Sequence, residues 1–359
     1  MIKENLVREL EIERRTFEER GLVSYVSLAT ELIHLVQNDQ DFLAHLSRAW
    51  EARSFHSIYE RPLLLFATLR FLALSNTTHP LAKYIGEGAC AKEPIPSSVV
   101  AQAFDESPAT FERLRDWFVQ TNEVARAFAW ILPASVIHAT FRPIVLVDSA
   151  CSAGLNLVGD RIDQSWVLKR GRPWPYAELP PILARFGFDR SPVDVTNPER
   201  VRWLRACIWP GQPERLLRVD RALAQAQRLI GGGHFQVEVS DIAHVPQRLD
   251  AIADAYPEAF ILAYQSSVRG YLPPEPRAKY GEQMKDWVRG SRAMWLELED
   301  APEAPEGAAD VSRLDCHIMS NRGLEMLTLA HSDFHPTVID VDDEACRELA
   351  HLAAQIHAR

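Results

Sequence analysis

Residues 144–156 read IVLVDSACSAGLN, an apolar run that stops at an acid and gives way at once to small side chains. Val145, Leu146 and Val147 are all apolar, with no polar residue between them. That is the pattern of a strand covered on both faces, as strands are in a parallel sheet with helices above and below it. Asp148 ends the run, and Ala150, Ser152, Ala153 and Gly154 follow. Small side chains there let the backbone turn sharply and approach a ligand, with the amides of the next helix facing outward to receive it. The same letters also suit a plain close-packed junction between a strand and a helix.

The rest of the chain changes character near residue 140. Before it, apolar residues recur at helical spacing, as in Leu63, Phe66, Leu69 and Leu72, and in Trp117, Val124 and Phe128. Pro62 suits a helix start, and the run PATFERLRDWFVQTNEVARAFAWIL reads as helix throughout. After residue 140, short apolar runs appear between Gly, Pro and Asp: FQVEV, AFILAYQ, AMWLELE, LEMLTLA and TVIDV. Helix-length stretches such as PERLLRVDRALAQAQRLI and PRAKYGEQMKDWV separate several of them. The expected fold is α/β: a helical domain over 1–138, then a Rossmann-like, mostly parallel sheet over 139–359. An inserted hairpin is expected near 163–180. The short gap before TVIDV predicts a C-terminal antiparallel hairpin.

Composition excludes some functions. The formal charge of -10 disfavours a nonspecific nucleic-acid binder, so a small molecule or another protein is the expected partner. Five cysteines at irregular spacing, with no CxxC pair, support neither a zinc site nor a disulfide framework. No apolar run reaches the ~18 residues of a membrane span, and no signal-peptide core opens the chain, so a cytoplasmic protein is expected. There is no G-x-S-x-G elbow and no H-E-x-x-H, and no metal is expected at HSDFHP, where His331 and His335 lie four apart before a proline.

The stretch 148–154 resembles the first motif of S-adenosylmethionine-dependent methyltransferases, an acid followed by G-x-G-x-G. Asp148, Ala150, Ser152 and Gly154 occupy those positions. More of the chain is similar to the bacterial family called domain of unknown function 2332. The matching stretches are HPLAKY (79–84), VQTNEVARA (119–127), DSACSAGLNLVGDRI (148–162), GFDRSPVDV (187–195) and RWLRACIWPGQPERL (202–216). Where that family usually has Glu and Gly, this chain has Asp148 and Ala150. An alanine costs ~1 kcal/mol if the backbone there is left-handed, and little otherwise.

The methyltransferase resemblance implies S-adenosylmethionine as cofactor, held by Asp148, Ala150, Ser152 and Gly154. It further implies Asp189, or Asp194 as fallback, at the ribose and Asp241 at the adenine. Asp241 equally suits a helix cap. Gln265 and Ser266, at the end of AFILAYQS, are expected beside the reacting methyl, with Glu123 as a candidate base. Gln120, Asn122, Arg126 and Arg205 are candidate substrate-binding residues, and Gln120 and Glu123 would share one helical face. Arg202, Arg205 and Arg215 suit an anionic group or internal acid partners. Two other readings stay open: a noncatalytic ligand-sensing or protein-interaction module, and a nicotinamide-dependent oxidoreductase, which the missing second glycine disfavours.

Overall fold

The computed structural model describes residues 2–55, 57–105, 108–120, 123–140, 143–164, 166–176, 178–291, 293–301 and 311–357. Candidate residue Asn122 and the acidic stretch 302–310, expected as a solvated loop, lie outside the described residues. In chain order the helices are α1 (Ile2–Glu19), α2 (Val23–Asn38), α3 (Gln40–Trp50), α4 (Glu60–Ser75), α5 (Ala82–Ile85), α6 (Ser97–Asp105), α7 (Pro108–Asp116), α8 (Phe128–Ile137), α9 (Pro198–Ala206), α10 (Pro213–Ile230), α11 (Val245–Ala255), α12 (Pro274–Gly290) and α13 (Asp343–His357). The strands are β1 (Ile144–Ser149), β2 (Val167–Leu168), β3 (Arg172–Pro173), β4 (Ile182–Asp189), β5 (Phe235–Val239), β6 (Phe260–Ser266), β7 (Ala293–Asp300), β8 (Val311–Ser320), β9 (Gly323–Asp333) and β10 (Val338–Val341). The chain divides into two compact units, Met1–Thr121 with Thr196–Leu216, and Asn122–Val195 with Leu217–Arg359.

The first unit is helical. α1 buries Leu6, Leu10 and Phe17 on one face, and Glu9 on that face is held by Arg61 Nε at 2.9 Å. Pro62 falls in the first turn of α4, where its missing amide leaves no intrahelical bond unmade. Asn197 caps α9, its side chain accepting from the amides of Glu199 and Arg200. Phe17, Tyr25, Phe66 and Trp209 pack mostly edge to face in the core.

The run expected as one helix from 108 to 132 is broken. α7 ends at Asp116, residues 117–120 are irregular, and Glu123 is the N-cap of a 3₁₀ turn, Val124–Ala127, that leads into α8. Gln120 and Glu123 therefore share no helical face. The Glu123 carboxylate accepts from the Ala125 amide at 3.2 Å, a local bond that competes with helix continuation.

The second unit carries a ten-stranded sheet in the order β3-β2-β10-β9-β8-β7-β6-β1-β4-β5. All six residues of β1 are buried, as a central strand covered on both faces requires. β5, β4, β1, β6 and β7 run parallel, whereas β7 to β10 form an antiparallel meander. The sheet is thus mixed rather than mostly parallel. β9 and β10 pair antiparallel as expected, but β8 belongs to the meander as well, and only residues 321–322 join it to β9.

Residues 163–180 hold β2 and β3, joined through Arg170 and Gly171 at φ 65° and 72°, left-handed angles that suit a tight hairpin. β3 is two residues long and ends in Pro173 at the edge of the sheet. Five free cysteines, Cys90, Cys151, Cys207, Cys316 and Cys346, form no disulfide. Among the described residues no helix is long and apolar enough to cross a membrane.

Candidate functional site

The chain leaves β1 for β4 and β5 on one side and returns to β6 and β7 on the other, so the strand order reverses between β1 and β6. Crevices outside the carboxyl ends of strands at such a reversal are where open α/β sheets bind ligands. Two turns border this reversal, 150–154 after β1 and 266–269 after β6.

In the first turn Ala150, Ser152 and Gly154 have φ of 62°, 55° and 68°. All three positions of the glycine motif are left-handed, although only the last is glycine. Each non-glycine residue there costs about 1 kcal/mol. The turn is tied to β4: Cys151 N–H donates to Phe188 O at 3.1 Å and Ser152 N–H to Asp189 Oδ2 at 2.8 Å. Asp189 Oδ1 accepts from the Ser191 amide at 2.7 Å.

Two glycines make the fit possible. A Cβ on Gly187 would sit 2.6 Å from Cys151 Sγ, and one on Gly154 would press within 3.0 Å of Phe235 and Val237. Gly154 thus admits close packing of the turn against β5, the role of the last glycine in such motifs.

The expected helix after the turn is absent. Leu155–Arg161 is a 3₁₀ run kinked at Val158. Its backbone is fixed from outside: Trp130 Nε1–H donates to Asn156 O at 2.9 Å, and a Cβ on Gly159 would collide with Ala127. A short 3₁₀ run aligns few peptide dipoles, so this turn lacks a full helix N-terminus for an anion.

Asp148 points into the sheet's packing and accepts a hydrogen bond from Tyr264 Oη at 2.9 Å. Burial pushes its pKa up to about 8; the Tyr264 bond acts against this, and the nearby Asp189 adds to it. Tyr264 is likewise pushed well above its usual value by burial.

The second turn rests on a polar belt that the sequence reading did not find. Glu299 accepts from the amides of Val268 and Arg269, each at 3.0 Å, and from Gln265 Nε2 at 2.7 Å. Glu297 takes Arg269 Nη2 at 2.8 and 2.9 Å and His317 Nε2 at 2.9 Å, while His317 stacks on Trp295. Burial raises Glu299 to about 7, its three donors act against that, and Glu297 raises it further. Among the described residues, the buried Gln265 Oε1 and Ser267 Oγ have no partner, and Ser267 is itself left-handed at φ 54°. Ser266 stands half-buried at the end of β6. The signal for the belt lay in AMWLELED, where Trp295, Glu297 and Glu299 fall on one face at period 2. Two acids in a buried strand demand donors.

Beyond β4 and β5, Arg190, Val239, Ser240, Asp241, His244 and Arg248 line an open cleft of about 640 Å³. Val239 is 70% exposed there. Asp241 caps the turn after β5, accepting from the Ala243 amide at 3.0 Å.

The remaining candidates lie elsewhere. Glu123 is buried in an ion cluster, with His335 Nδ1 at 2.9 Å and Arg218 Nη2 at 3.5 Å. Arg126 donates to Phe334 O and lies over that ring. In the helical unit, Arg205 pairs with Glu87 at 2.9 Å, and Gln120 meets the Cys207 sulfur through its backbone. Among the described residues no group of three or more His, Cys, Asp or Glu is placed to hold a metal ion.

These features define an α/β protein with a helical N-terminal region and a mixed sheet whose strand order reverses beside a left-handed turn. The chain belongs to the family described as "Uncharacterized protein conserved in bacteria (DUF2332)", which matches residues 24–340. No curated protein matches it.

Proposed function

We propose that the protein is an S-adenosylmethionine-dependent methyltransferase acting on a small molecule. The observation that carries this reading is the alternation of left-handed residues at 150, 152 and 154, held at the end of the central strand by Asp189 of β4. Two non-glycine residues are kept in a costly conformation there, and such strain persists where the surroundings over-determine it, often at ligand sites. The cofactor supplies an electrophilic methyl group on a sulfonium.

The chain's own residues divide the binding work. Asp189 uses two of the roughly four acceptor positions of its carboxylate, one on Ser152 of the turn and one on the Ser191 amide after β4, and the others suit ribose hydroxyls. Val239 and Asp241 offer an apolar seat and an acceptor for adenine. Asp148, behind the turn, fixes its base through Tyr264. Half-buried Ser266 orients the acceptor, and Gln265, buried and bound to Glu299 through Nε2, supports the strand end from within. Glu123 receives no role, because Ala125, His335 and Arg218 already engage its carboxylate.

The short 3₁₀ run favours this reading over nicotinamide binding. A dinucleotide brings a pyrophosphate that rests on a helix N-terminus, whereas S-adenosylmethionine has no phosphate to place.

Calorimetric titration of the full chain with S-adenosylhomocysteine, and separately with NAD, tests the reading. One-site micromolar binding of S-adenosylhomocysteine, weakened at least ~tenfold or ~1.4 kcal/mol by Asp189→Asn, is the expected result. Binding of NAD instead would establish the oxidoreductase, and binding of neither would leave a noncatalytic module.

A further inference from the structure

Ser149 of β1 stands in register beside Gln265 of β6, and Gln265 beside Glu297 of β7, so the three side chains share one face of the sheet. Glu299, two residues beyond Glu297, falls on the same face, and all four residues are buried. Gln265 Nε2 serves both acids, lying 2.7 Å from Glu299 Oε1 and 3.4 Å from Glu297 Oε1. The two carboxylates are therefore within ~6 Å of each other, close enough for each charge to oppose the other.

The donors are divided unevenly between them. Glu297 takes the Arg269 guanidinium and His317 Nε2. Among the described residues Glu299 takes only neutral donors, the amides of Val268 and Arg269 and Gln265 Nε2. β8 adds Asp315 beside Glu297 and Arg313 beside Glu299, and Arg313 holds Asp315 at 2.8 Å. From α12, Tyr280 packs its ring 6.0 Å from that of Trp295, and its hydroxyl feels both carboxylates.

With both acids charged, the Gln265 nitrogen must face them. Its Oε1 is then left without a partner among the described residues, as is Ser149 Oγ on the other side of the row. A proton on Glu299 reverses the demand, because an O–H needs an acceptor and a turned-over Gln265 amide supplies one.

We propose that Glu299 and Gln265 form a proton-operated switch on the turn 266–269, beside the reversal of strand order. A proton taken from solvent by Glu299 turns the Gln265 amide over, so that Oε1 accepts from the acid and Nε2 passes to Ser149 Oγ. The facing charges are thereby reduced to one and the turn is held closed. Loss of the proton restores two facing anions and loosens the turn.

Burial raises Glu299 to about 7 against the donors that lower it, and Glu297 raises it further. In an opened turn the acid meets water and returns toward ~4.3. The closed turn is thus favoured fully below pH ~4.3 and loses that advantage as pH climbs through about 7. The switch concerns the turn and stands whether or not the crevice binds a cofactor.

Hydrogen exchange at the Val268 and Arg269 amides of the full chain, corrected for the intrinsic pH dependence of exchange, reads the opening of the turn. Protection is expected to fall at least ~tenfold between pH ~5 and pH ~7 and to level off above that. Glu299→Gln sets an amide where the protonated acid would stand, and should keep the parent's low-pH protection throughout. The side-chain amide resonances of Gln265 should move with pH in the parent and stay fixed in that variant. Flat protection in the parent, an unchanged fall in Glu299→Gln, or Gln265 resonances that ignore pH would each overturn the switch. Should Glu299→Gln not fold, the parent's protection profile and Gln265 resonances decide the matter.

Discussion

The turns after β1 and β6 solve one problem in two ways. Each has a non-glycine residue in the left-handed region, Ala150 and Ser152 in one and Ser267 in the other. Each is pinned by a carboxylate from the next strand outward: Asp189 of β4 accepts the Ser152 amide of one turn, and Glu299 of β7 accepts the Val268 and Arg269 amides of the other. Glu299 is 4% exposed and takes three donors, whereas Asp189 is half-buried and takes two backbone amides. The buried carboxylate is filled by the protein, and the other keeps acceptor capacity facing outward. A turn held by a buried carboxylate and a turn held by a half-buried one thus flank the same reversal of strand order.

The largest expected effect is on pH dependence. A carboxyl protonated more readily in the folded chain stabilises it fully below its unfolded pKa, ~3.9 for Asp148, and loses that contribution as pH climbs through its folded value of about 8. Stability should therefore fall between pH ~4 and pH ~8, by on the order of 5 kcal/mol from Asp148. Glu299, raised to about 7, adds to the fall with the same sign. Denaturant unfolding across this range should show the slope, and Asp148→Asn should flatten it. An unchanged slope in that variant would place the titration elsewhere.

Removing each pinning carboxylate sharpens the contrast. Glu299→Ala takes their acceptor from the buried Val268 amide, the part-buried Arg269 amide and Gln265 Nε2, and should cost about 3–5 kcal/mol in urea unfolding. Asp189→Asn should cost only about 1–2 kcal/mol, because water reaches the half-buried site. Equal losses would break the distinction between the two turns. The smallest effect belongs to Ala150→Gly, which should raise stability by about 0.5–1 kcal/mol by relieving the left-handed strain. A loss of stability there would mean that the methyl group makes contacts outweighing the strain.

The sequence was most readable where burial is two-sided. IVLVDS and AFILAYQS announce β1 and β6 because both faces of those strands are apolar or nearly so, and AMWLELE announces β7 through the apolar face of Met294, Leu296 and Leu298 and the Trp295 opposite. β8 escaped notice since VSRLDCHIMS sets Leu314, Cys316 and Ile318 on one face against Arg313, Asp315 and His317 on the other. Its polar face is buried only because partners meet it: Arg313 holds Asp315, Thr328 donates to Asp315, and Glu297 bonds His317. No local pattern reveals a partner on another strand. The break before Glu123 was hidden for a similar reason, since an N-cap glutamate looks like any exposed helical acid. At the site, the acid and the small residues of 148–154 were visible, but their angles were not, and those angles decide what Ala150 costs.

The two-residue strand β3, with Pro173 at the margin of the sheet, has a consequence for how copies of the chain behave when crowded. Proline has no amide hydrogen to offer an incoming strand, and a ladder two residues long gives little to hold. A long sheet is a template for its own growth into aggregates, and this one is closed to extension on that side. Addition of foreign strands has only the β5 margin left to use, where the charged Glu238 stands beside Val239.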